Sequence, residues 1–334
     1  MANFCSYPQL ERITEVGMAN SLDPKASSIT IGLNGYKDFE GKPLEILTPP
    51  YLSVRKGNVV GDVQLYELSS SHSGRWVLQA RTQSGSVWDV LTVNVAERDS
   101  FYAGFDRLVY PGDSIMRTMF EQTNLYWCGF YLAPAPSHPD TSWMTKLDTL
   151  QQIGWGVAPT YVGQQMVGPG SKNVTAAQGT LDARDAAKLA SAAGLSTGSI
   201  LFLDIEQGPP IGAAALAYYN AWASELEDHT NYSPGVYCSF YQVAQSLHDV
   251  NSTPIVWIFN VNKFTCGPAK GGRQTISPSS PFPAPDPALS GVSFAKLWQL
   301  GQGNNCNINA GGHVVARVDF DSSTSMDPSD PSSY

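Results

Sequence analysis

The sequence predicts a mixed α/β protein, in which a (β/α)8 barrel of the TIM type follows a small all-β domain of the sandwich type. Over residues 27–97, short segments alternate apolar and polar residues between clusters of Gly, Pro, Asn and Ser, which is typical of antiparallel strands. Over residues 98–322, strand-like and helix-like segments alternate, which indicates a parallel sheet. Eight strand candidates in that region favour a closed barrel over an open sheet.

These patterns divide the chain into four segments. Residues 1–26 form an irregular lead-in, and residues 27–97 form the sandwich-like domain, with SHSG and TQSGS as hairpin turns. The polar run AERDS marks the junction to the barrel domain, residues 98–322. The tail at residues 323–334 is rich in Ser, Asp and Pro and is expected to be disordered.

The barrel is predicted from its individual elements. The eight strand candidates are, in order, YAGFDRLVY, YWCGFYLA, GWGVAPTYV, SILFLDIEQ, GVYCSF, PIVWIFNV, FAKLWQL and VVARVDF. Helical segments such as DARDAAKLASAAG and AAALAYYNAWASELEDH separate the first six strands. The last turns lack clear helices. Residues 263–291 instead form a long loop rich in Pro, Gly and Ser, and loops of that length are usually functional or mobile.

Composition and charge exclude several classes of function. The 334 residues include 29 Asp and Glu against 20 Lys and Arg, a net charge of −9, so a nucleic-acid partner is not expected. No apolar stretch approaches the roughly 20 residues that span a bilayer. The N-terminus, MANFCSYPQLERITEVGMAN, lacks the basic and apolar regions of a secretory signal. We therefore expect either that a signal has been removed or that the protein leaves the cell by another route.

The five cysteines form no C-x-x-C pair. Cys128 and Cys238 lie within apolar strand-like runs and are expected to be buried thiols. Cys266 and Cys306 lie in loops rich in Gly, Asn and Pro, where a disulfide between them is one option.

The segment LFLDIEQG carries the strongest chemical signal. Asp204 and Glu206 are two residues apart on a predicted strand, so their side chains project to the same side. They follow four apolar residues at the carboxyl end of the strand, which is the active-site end of a β/α barrel. Glycoside hydrolysis requires two carboxyls, one protonated and one charged, and crowding of like charges separates their pKa values. The same pattern also occurs as strand-end capping or as a Mg²⁺ site.

Two further acids are expected at the same place. Asp106 follows the apolar start of the first barrel strand, and Asp319 ends the eighth. Because a closed barrel makes its first and last strands neighbours, both carboxyls should reach the mouth that holds Asp204 and Glu206. A solvated aspartate at a strand end is the alternative for either residue alone.

Other catalytic chemistries lack their motifs. The five histidines form no H-x-H or H-E-x-x-H pattern, so a zinc hydrolase is not expected. The sequence contains no G-x-S-x-G, G-x-G-x-x-G or Walker pattern. We therefore expect neither a metal nor another cofactor.

A wider pattern connects the acids with a known family. It consists of G-F-D at 104–106, L-D-I-E at 203–206, P-G-V-Y at 234–237, V-W-I at 256–258, L-W-Q at 297–299 and V-D-F-D at 318–321. In order and spacing these motifs resemble strands one, four, five, six, seven and eight of the family 25 lysozyme-type glycoside hydrolases. They resemble more closely a bacterial group of glycoside-hydrolase-like domains. The resemblance covers about two-thirds of the chain.

The resemblance implies a role for each of these residues. Glu206 would be the general acid, and Asp204 would stabilise positive charge or position the acetamido group of the substrate. Asp106 and Asp319 would set the charge and orientation of that pair. The residues that would bind the sugar are Tyr161, Tyr237, Trp257, Trp298 and Gln299. The implied substrate is peptidoglycan, cleaved at its β-1,4 linkages by an enzyme that acts outside the cytoplasm.

Two other functions stay open at the sequence level. The first strand, GFDRLVYPG, and the second, ending in FYLAPAP, differ from the usual lysozyme pattern. These differences motivate one alternative, in which the barrel binds glycan or cell wall without cleaving it. Alternatively, the chain is an exported antibacterial lytic effector or a lysin, for which an immunity or delivery partner would be expected.

Overall fold

The computed structural model describes residues 2–6, 15–16, 28–49, 52–70, 74–95, 101–250, 254–262, 274–277, 282, 284–303, 306–310 and 312–334. The chain divides into two compact units. The first comprises Met1–Ser100 with Gln151–Trp155, and the second comprises Phe101–Leu150 with Gly156–Tyr334. The two units are described separately below.

The first unit is an all-β region, as the sequence predicts. Its strands are β1 (Asn3–Ser6), β2 (Glu15–Val16), β3 (Ile29–Asn34), β4 (Glu45–Leu47), β5 (Leu52–Val60), β6 (Val63–Ser70), β7 (Gly74–Arg81) and β8 (Val87–Val95). They form two four-stranded sheets, in the orders β1-β3-β6-β5 and β2-β8-β7-β4. All pairs are antiparallel except β2 with β8. Strands β1 and β2 lie in the segment that the sequence assigns to an irregular lead-in, so that segment contributes to both sheets.

Alternation of apolar and polar residues forms these strands. Trp76 and Leu78 on β7 pair with Val93 and Leu91 on β8, and all four side chains are buried. Each lies two residues from its neighbour on the same strand, so one face of the hairpin is apolar. The period-two pattern therefore predicts this part of the sheet correctly.

The second unit is built around a closed eight-stranded barrel, which confirms the predicted fold class. Its strands are β9 (Tyr102–Asp106), β10 (Leu125–Tyr131), β11 (Gly156–Tyr161), β12 (Ile200–Ile205), β13 (Ser233–Ser239), β14 (Ile255–Phe259), β15 (Gln274–Ile276), β16 (Leu297–Gln299), β17 (Cys306–Ala310), β18 (His313–Arg317) and β19 (Asp319–Ser323). The barrel order is β10-β11-β12-β13-β14-β16-β19-β9. Strands β15, β17 and β18 form a separate small sheet.

The last barrel strand differs from the prediction. The expected single strand VVARVDF divides at Val318 into β18, which pairs with β17, and β19, which enters the barrel. Strand β19 runs antiparallel to both of its neighbours, β16 and β9. After β16 the described residues contain no α-helix that would carry the chain back to the start of the strands. The chain therefore re-enters from the mouth, and the closing strand must run in the opposite direction.

Five α-helices alternate with the first six barrel strands. They are α1 (Asp113–Gln122), α2 (Leu147–Ile153), α3 (Ala176–Ala193), α4 (Ala213–His229) and α5 (Tyr241–Val250). Capping defines the ends of α3: the Thr175 side chain accepts a hydrogen bond from the Gln178 amide, and Gly194 ends the helix in the left-handed conformation. Most of the predicted loop at 263–291 lies outside the described residues. Its last part contains a 3-10 helix, Pro287–Ser290.

Large side chains fill the interior of the barrel below its mouth. The buried cluster consists of Trp127, Ala158, Ile200, Phe202, Trp257 and Leu297. Two glycines make room for the rings. A β-carbon at Gly104 would lie 2.2 Å from the Trp127 indole, and one at Gly235 would lie 2.7 Å from the Phe202 ring. Glycine is therefore required at these positions by the close approach of an aromatic side chain.

The C-terminal tail is ordered, contrary to the expectation of disorder. The Ile200 amide donates to the Ser329 carbonyl at 2.8 Å, and the Val157 amide donates to Asp327 Oδ1 at 2.9 Å. The Tyr334 ring packs against the interior cluster. The tail thus supplies hydrogen-bond acceptors to strands β11 and β12 where they begin, and its polar composition serves pairing with strand ends rather than solvation.

The cysteines are partly as expected. Cys128 and Cys238 are buried. Cys306 is also buried, at the start of β17, whereas Cys266 lies outside the described residues, so a disulfide between them stays a prediction. Among the helices of the described chain, none is long and apolar enough to cross a membrane.

Replacing Gly104 with Ala should destabilise the barrel. The added β-carbon would overlap the buried Trp127 ring, and overpacking of this kind typically costs about 1–3 kcal/mol. The matched control is Gly212→Ala, because a β-carbon at Gly212 meets nothing within 4 Å and its φ of −74° suits alanine. Urea unfolding should show a lower midpoint for Gly104→Ala and little change for Gly212→Ala. Equal midpoints for the two variants would contradict this account of the interior.

Candidate functional site

A cavity of about 560 Å³ opens where the parallel strands of the barrel end. Four carboxyl side chains line it: Asp106, Asp204, Glu206 and Asp319. Asp106, Asp204 and Asp319 lie on three different strands, and Glu206 directly follows β12. The fold brings these four residues together. The four acids singled out from the sequence thus line one cavity.

Asp204 and Glu206 reach the cavity through the period-two geometry of β12. Ile200 and Phe202 point into the barrel, so Asp204 and Glu206 follow on the same face. Asp204 is 8% exposed, whereas Glu206, just after the strand, is exposed to solvent. The buried Asp204 Oδ1 has no hydrogen-bond partner among the described residues. One carboxyl is thus desolvated and the other is open to water.

Gln165 holds the backbone of this pair. Its Nε2 donates to the Asp204 carbonyl at 2.9 Å, and its Oε1 accepts from the Glu206 amide at 3.4 Å. The neighbouring Gln164 is anchored in turn, because its Nε2 donates to Asp182 Oδ2 at 3.0 Å. The loop after β11 is therefore tied both to helix α3 and to the carboxyl end of β12.

Asp106 lies beside a second buried acid, Asp321. The Tyr131 hydroxyl donates to Asp106 Oδ1 at 2.9 Å, and the Trp257 indole donates to Asp321 Oδ1 at 2.9 Å. The two aspartate carboxyls are within hydrogen-bonding reach of each other. Their Oδ2 atoms have no other partner in the described part of the chain. Because two adjacent buried charges would be costly, this arrangement favours a proton held between the two carboxyls.

Asp319 lies directly opposite Asp106 in the β19–β9 ladder. It accepts hydrogen bonds from the Gly303 amide and from Gln299 Nε2, the latter at 2.7 Å. Gln299 Oε1 accepts in turn from the Tyr237 hydroxyl at 2.5 Å. These bonds orient the Asp319 carboxylate and connect it to the opposite wall of the cavity.

Burial dominates the protonation of these acids. Desolvation raises the pKa of Asp106, Asp204 and Asp321 well above the ordinary value of 3.8, and neighbouring carboxyls raise it further. Burial also raises the pKa of Asp319, to about 6, although the hydrogen bonds from Gly303 and Gln299 lower it. Neutral and charged carboxyls therefore coexist in the cavity near pH 7.

Most of the predicted sugar-binding residues reach the cavity. Tyr237, Trp257 and Gln299 line it. Tyr161 and Trp298 do not, which corrects the expectation that they line the cleft. Tyr161 is fully buried with its hydroxyl bonded to Asp185 of α3, and the Trp298 indole donates to the Asn260 carbonyl. Tyr161 follows Thr160, and Trp298 lies between Leu297 and Gln299, all of which face the interior, so the period-two rule turns both rings outward.

Three residues of the site were not predicted. Asp321 is two residues beyond Asp319 in V-D-F-D, so the same-face rule could have found it. Tyr131 ends β10, and only its pairing with Asp106 distinguishes it from the other tyrosines. Gln165 lies in a loop, where no periodicity indicates its contacts. The described residues contain no group of three or more His, Cys, Asp or Glu side chains that could hold a metal ion.

Comparison with solved structures finds matches at low identity, with TM-scores below 0.5. An uncharacterized Bacillus stearothermophilus protein is 21% identical, with a TM-score of 0.45 over 66% of this chain and 94% of its own. The Tat-secreted protein Rv2525c of Mycobacterium tuberculosis is 17% identical, with a TM-score of 0.42 over 69% of this chain and 96% of its own. The bacterial lysozyme from Streptomyces coelicolor is 13% identical, with a TM-score of 0.43 over 68% of this chain and 94% of its own.

Comparison at the sequence level is more specific. No functionally curated protein matches this chain significantly. A family model described as "Rv2525c-like, glycoside hydrolase-like domain" matches residues 120–286, half of the chain. The matched range contains Asp204, Glu206 and Tyr131 of the cavity, together with Gln165, which bonds to the backbone of the acid pair. The chain therefore belongs to the Rv2525c-like family of glycoside hydrolase-like domains.

Proposed function

We propose that this protein is a glycoside hydrolase that cleaves β-1,4 bonds of peptidoglycan or a related N-acetylated glycan. The observation that carries the proposal is the Asp204–Glu206 pair, in which one carboxyl is buried and the other is open to solvent at a single mouth. Cleavage of a glycosidic bond needs two carboxyl groups in different environments. The family, whose members are glycoside hydrolase-like, supports this class of reaction.

In the proposed mechanism Glu206 donates a proton to the oxygen of the leaving sugar. Its exposed position lets the substrate reach it and lets water restore the proton afterwards. Gln165 accepts from the Glu206 amide and thereby holds the backbone from which the acid projects. A donor fixed in this way contributes by orientation as well as by acidity.

Asp204 is proposed to bind the acetamido group of the substrate. Its buried Oδ1 lacks a partner, and an amide N–H of the substrate would supply one. An oriented acetamido oxygen can then assist departure of the leaving group. This role favours N-acetylated sugars over glycans without an amide.

Asp319 is proposed to supply negative charge near the developing oxocarbenium ion. With its pKa near 6, it is ionised at neutral pH while the Asp106–Asp321 pair beside it keeps its shared proton. Tyr237 and Trp257 would then form the walls against which the sugar ring lies. Because peptidoglycan is found beyond the cytoplasmic membrane, the proposed site of action is outside the cytoplasm.

Replacing Glu206 with Gln should reduce the release of reducing ends from purified peptidoglycan by about 10²–10⁴-fold, because general acid catalysis is lost. Asp204→Asn should also lower kcat, since the acetamido group would be held less well. Glu227→Gln is the matched control, because Glu227 is an exposed acid on helix α4. Its activity should equal that of the wild type.

The same digest separates hydrolysis from binding alone. Wild-type protein that sediments with insoluble peptidoglycan but yields no product by mass spectrometry would identify a glycan-binding protein on a hydrolase-like barrel. Equal product from wild type and Glu206→Gln would show that the assigned acid is wrong.

The proposed role of Asp319 predicts a pH dependence. Activity should fall as the pH drops through about 6, where Asp319 takes up a proton. Gln299→Leu removes a donor that favours the charged carboxylate, so the acid limb of kcat/KM should move to higher pH. Gln302→Leu, on the wall of the same cavity, should leave the limb in place. An acid limb of kcat/KM that does not move in Gln299→Leu would contradict the role assigned to Asp319.

Protonation of Asp321 predicts a change in stability with pH. Its pKa is raised in the folded state, so the folded protein binds a proton that the unfolded chain releases above about pH 4. This contribution to stability is complete below pH 4 and is lost as the pH rises. Asp321→Asn keeps an acceptor for Trp257 and a donor for Asp106, so its urea midpoint should fall less between pH 4 and pH 7 than that of the wild type.

Asp106→Asn provides the contrasting variant. Asp106 accepts from Tyr131 and is the acceptor partner of Asp321, so an amide N–H₂ would face a donor. We expect this variant to have a lower midpoint than the wild type at both pH values. If both asparagine variants unfold alike, the shared proton is not distributed as proposed.

A further inference from the structure

A second cavity, of about 310 Å³, adjoins the first. Ser239, the last residue of β13, and Phe259, the last residue of β14, line both cavities. They form the common wall between them. The two cavities are therefore neighbours at the carboxyl ends of β13 and β14.

Phe240 stands at the entrance to the second cavity. It has a φ of 69°, in the left-handed region, and is the one non-glycine residue of the described chain with a positive φ. Its side chain is 54% exposed. A non-glycine residue in this conformation costs free energy, and such strain is concentrated at functional sites. The fold here keeps a large apolar ring in solvent at the cost of backbone strain.

The position of the ring relates it to the catalytic strand. A β-carbon built on Gly208 would lie 3.6 Å from Cε2 of Phe240, which is ordinary van der Waals contact. Gly208 is two residues beyond Glu206 in the same segment. The phenyl ring is therefore beside the loop that leaves the proposed acid.

The remaining walls combine aromatic and polar groups. Tyr241, 51% exposed, continues the aromatic surface of Phe240. Asn260 forms a rigid base, because its Nδ2 donates to the Ser290 carbonyl at 2.6 Å and its Oδ1 accepts from the Asn262 amide at 3.2 Å. Aromatic faces with a few hydroxyl and amide groups suit a sugar ring, whose C–H face is apolar and whose edge carries hydroxyls.

We infer that this second cavity is a binding subsite for a further sugar residue of the glycan, with its apolar face against Phe240. The inference rests on the proposed function, because the sugar in this subsite belongs to the chain whose bond is cleaved at Glu206. It adds that the protein acts on chains long enough to fill both cavities. Because the two cavities share Ser239 and Phe259, sugars of one glycan chain would occupy both.

The experiment compares substrates of different length. Hydrolysis of purified peptidoglycan glycan fragments is measured as kcat/KM for a tetrasaccharide and for an octasaccharide. Phe240→Ala should reduce kcat/KM on the octasaccharide by about tenfold, which is the scale of one lost aromatic stacking contact. On the tetrasaccharide, which is too short to fill both cavities, the loss should stay within about twofold, well below the effect of a lost aromatic contact.

Three further variants control for folding and for ring chemistry. Phe240→Gly accepts the left-handed backbone without strain, so it should remain folded and show the same loss as Phe240→Ala. Phe240→Trp should keep the wild-type ratio of kcat/KM on the octasaccharide to kcat/KM on the tetrasaccharide. Leu181→Ala is the matched control, because Leu181 on helix α3 is 55% exposed, close to the 54% of Phe240. It should have wild-type activity on both substrates.

The outcomes separate this inference from the proposed function. If the wild type cleaves both fragments and Phe240→Gly has the wild-type ratio of kcat/KM between the octasaccharide and the tetrasaccharide, the subsite inference is overturned. The hydrolase assignment then stands. If no fragment is cleaved, calorimetry with the octasaccharide decides. Weaker binding by Phe240→Gly than by the wild type would support the subsite without hydrolysis, and no binding by the wild type would overturn both.

Discussion

Closing the barrel brings Asp106 and Asp321 side by side in an interior where both side chains are buried. Strand β19 pairs with β9 on one side and β16 on the other, and it carries both Asp319 and Asp321 on its inward face. Two adjacent buried charges would be very costly, so the pair keeps a proton. The charge state of the whole mouth follows from this arrangement, because Asp319 above the pair is the more easily ionised carboxyl.

The geometry of the acid pair on β12 depends on its surroundings as much as on the strand itself. Gln165 bonds both to the carbonyl of Asp204 and to the amide of Glu206. Gln164, its neighbour, is bonded to Asp182, which also accepts from the Tyr218 hydroxyl at 2.7 Å. A buried, satisfied network of this kind limits the movement of the segment that carries Asp204 and Glu206. The loop after β11 therefore acts as a support for the site, in addition to connecting two elements.

Aromatic rings fill the half of the barrel interior that lies away from the mouth. Trp127 and Trp257 meet edge to face with centroids 5.6 Å apart, and Gly104 leaves the space that the Trp127 ring occupies. Below them, the tail residue Tyr334 packs against the same cluster. Rings fill this end of the interior, and the carboxyls of Asp106, Asp204, Asp319 and Asp321 lie toward the opposite end. The Trp257 indole joins the two regions through its hydrogen bond to Asp321.

The sequence by itself determined the succession of strands and helices, the all-β region and the strand-end acids, because hydrophobic period and residue type are local properties. It also placed Asp204 and Glu206 on one face, since alternation along a strand requires no knowledge of its neighbours. Only the tertiary structure decided the direction of β19 and the ordering of the tail. The direction of β19 and the ordering of the tail both depend on hydrogen bonds between segments that are far apart in the sequence. The partners of Asp321, Tyr131 and Gln165 lie 25 to 64 residues away in sequence, so no local pattern could reveal them.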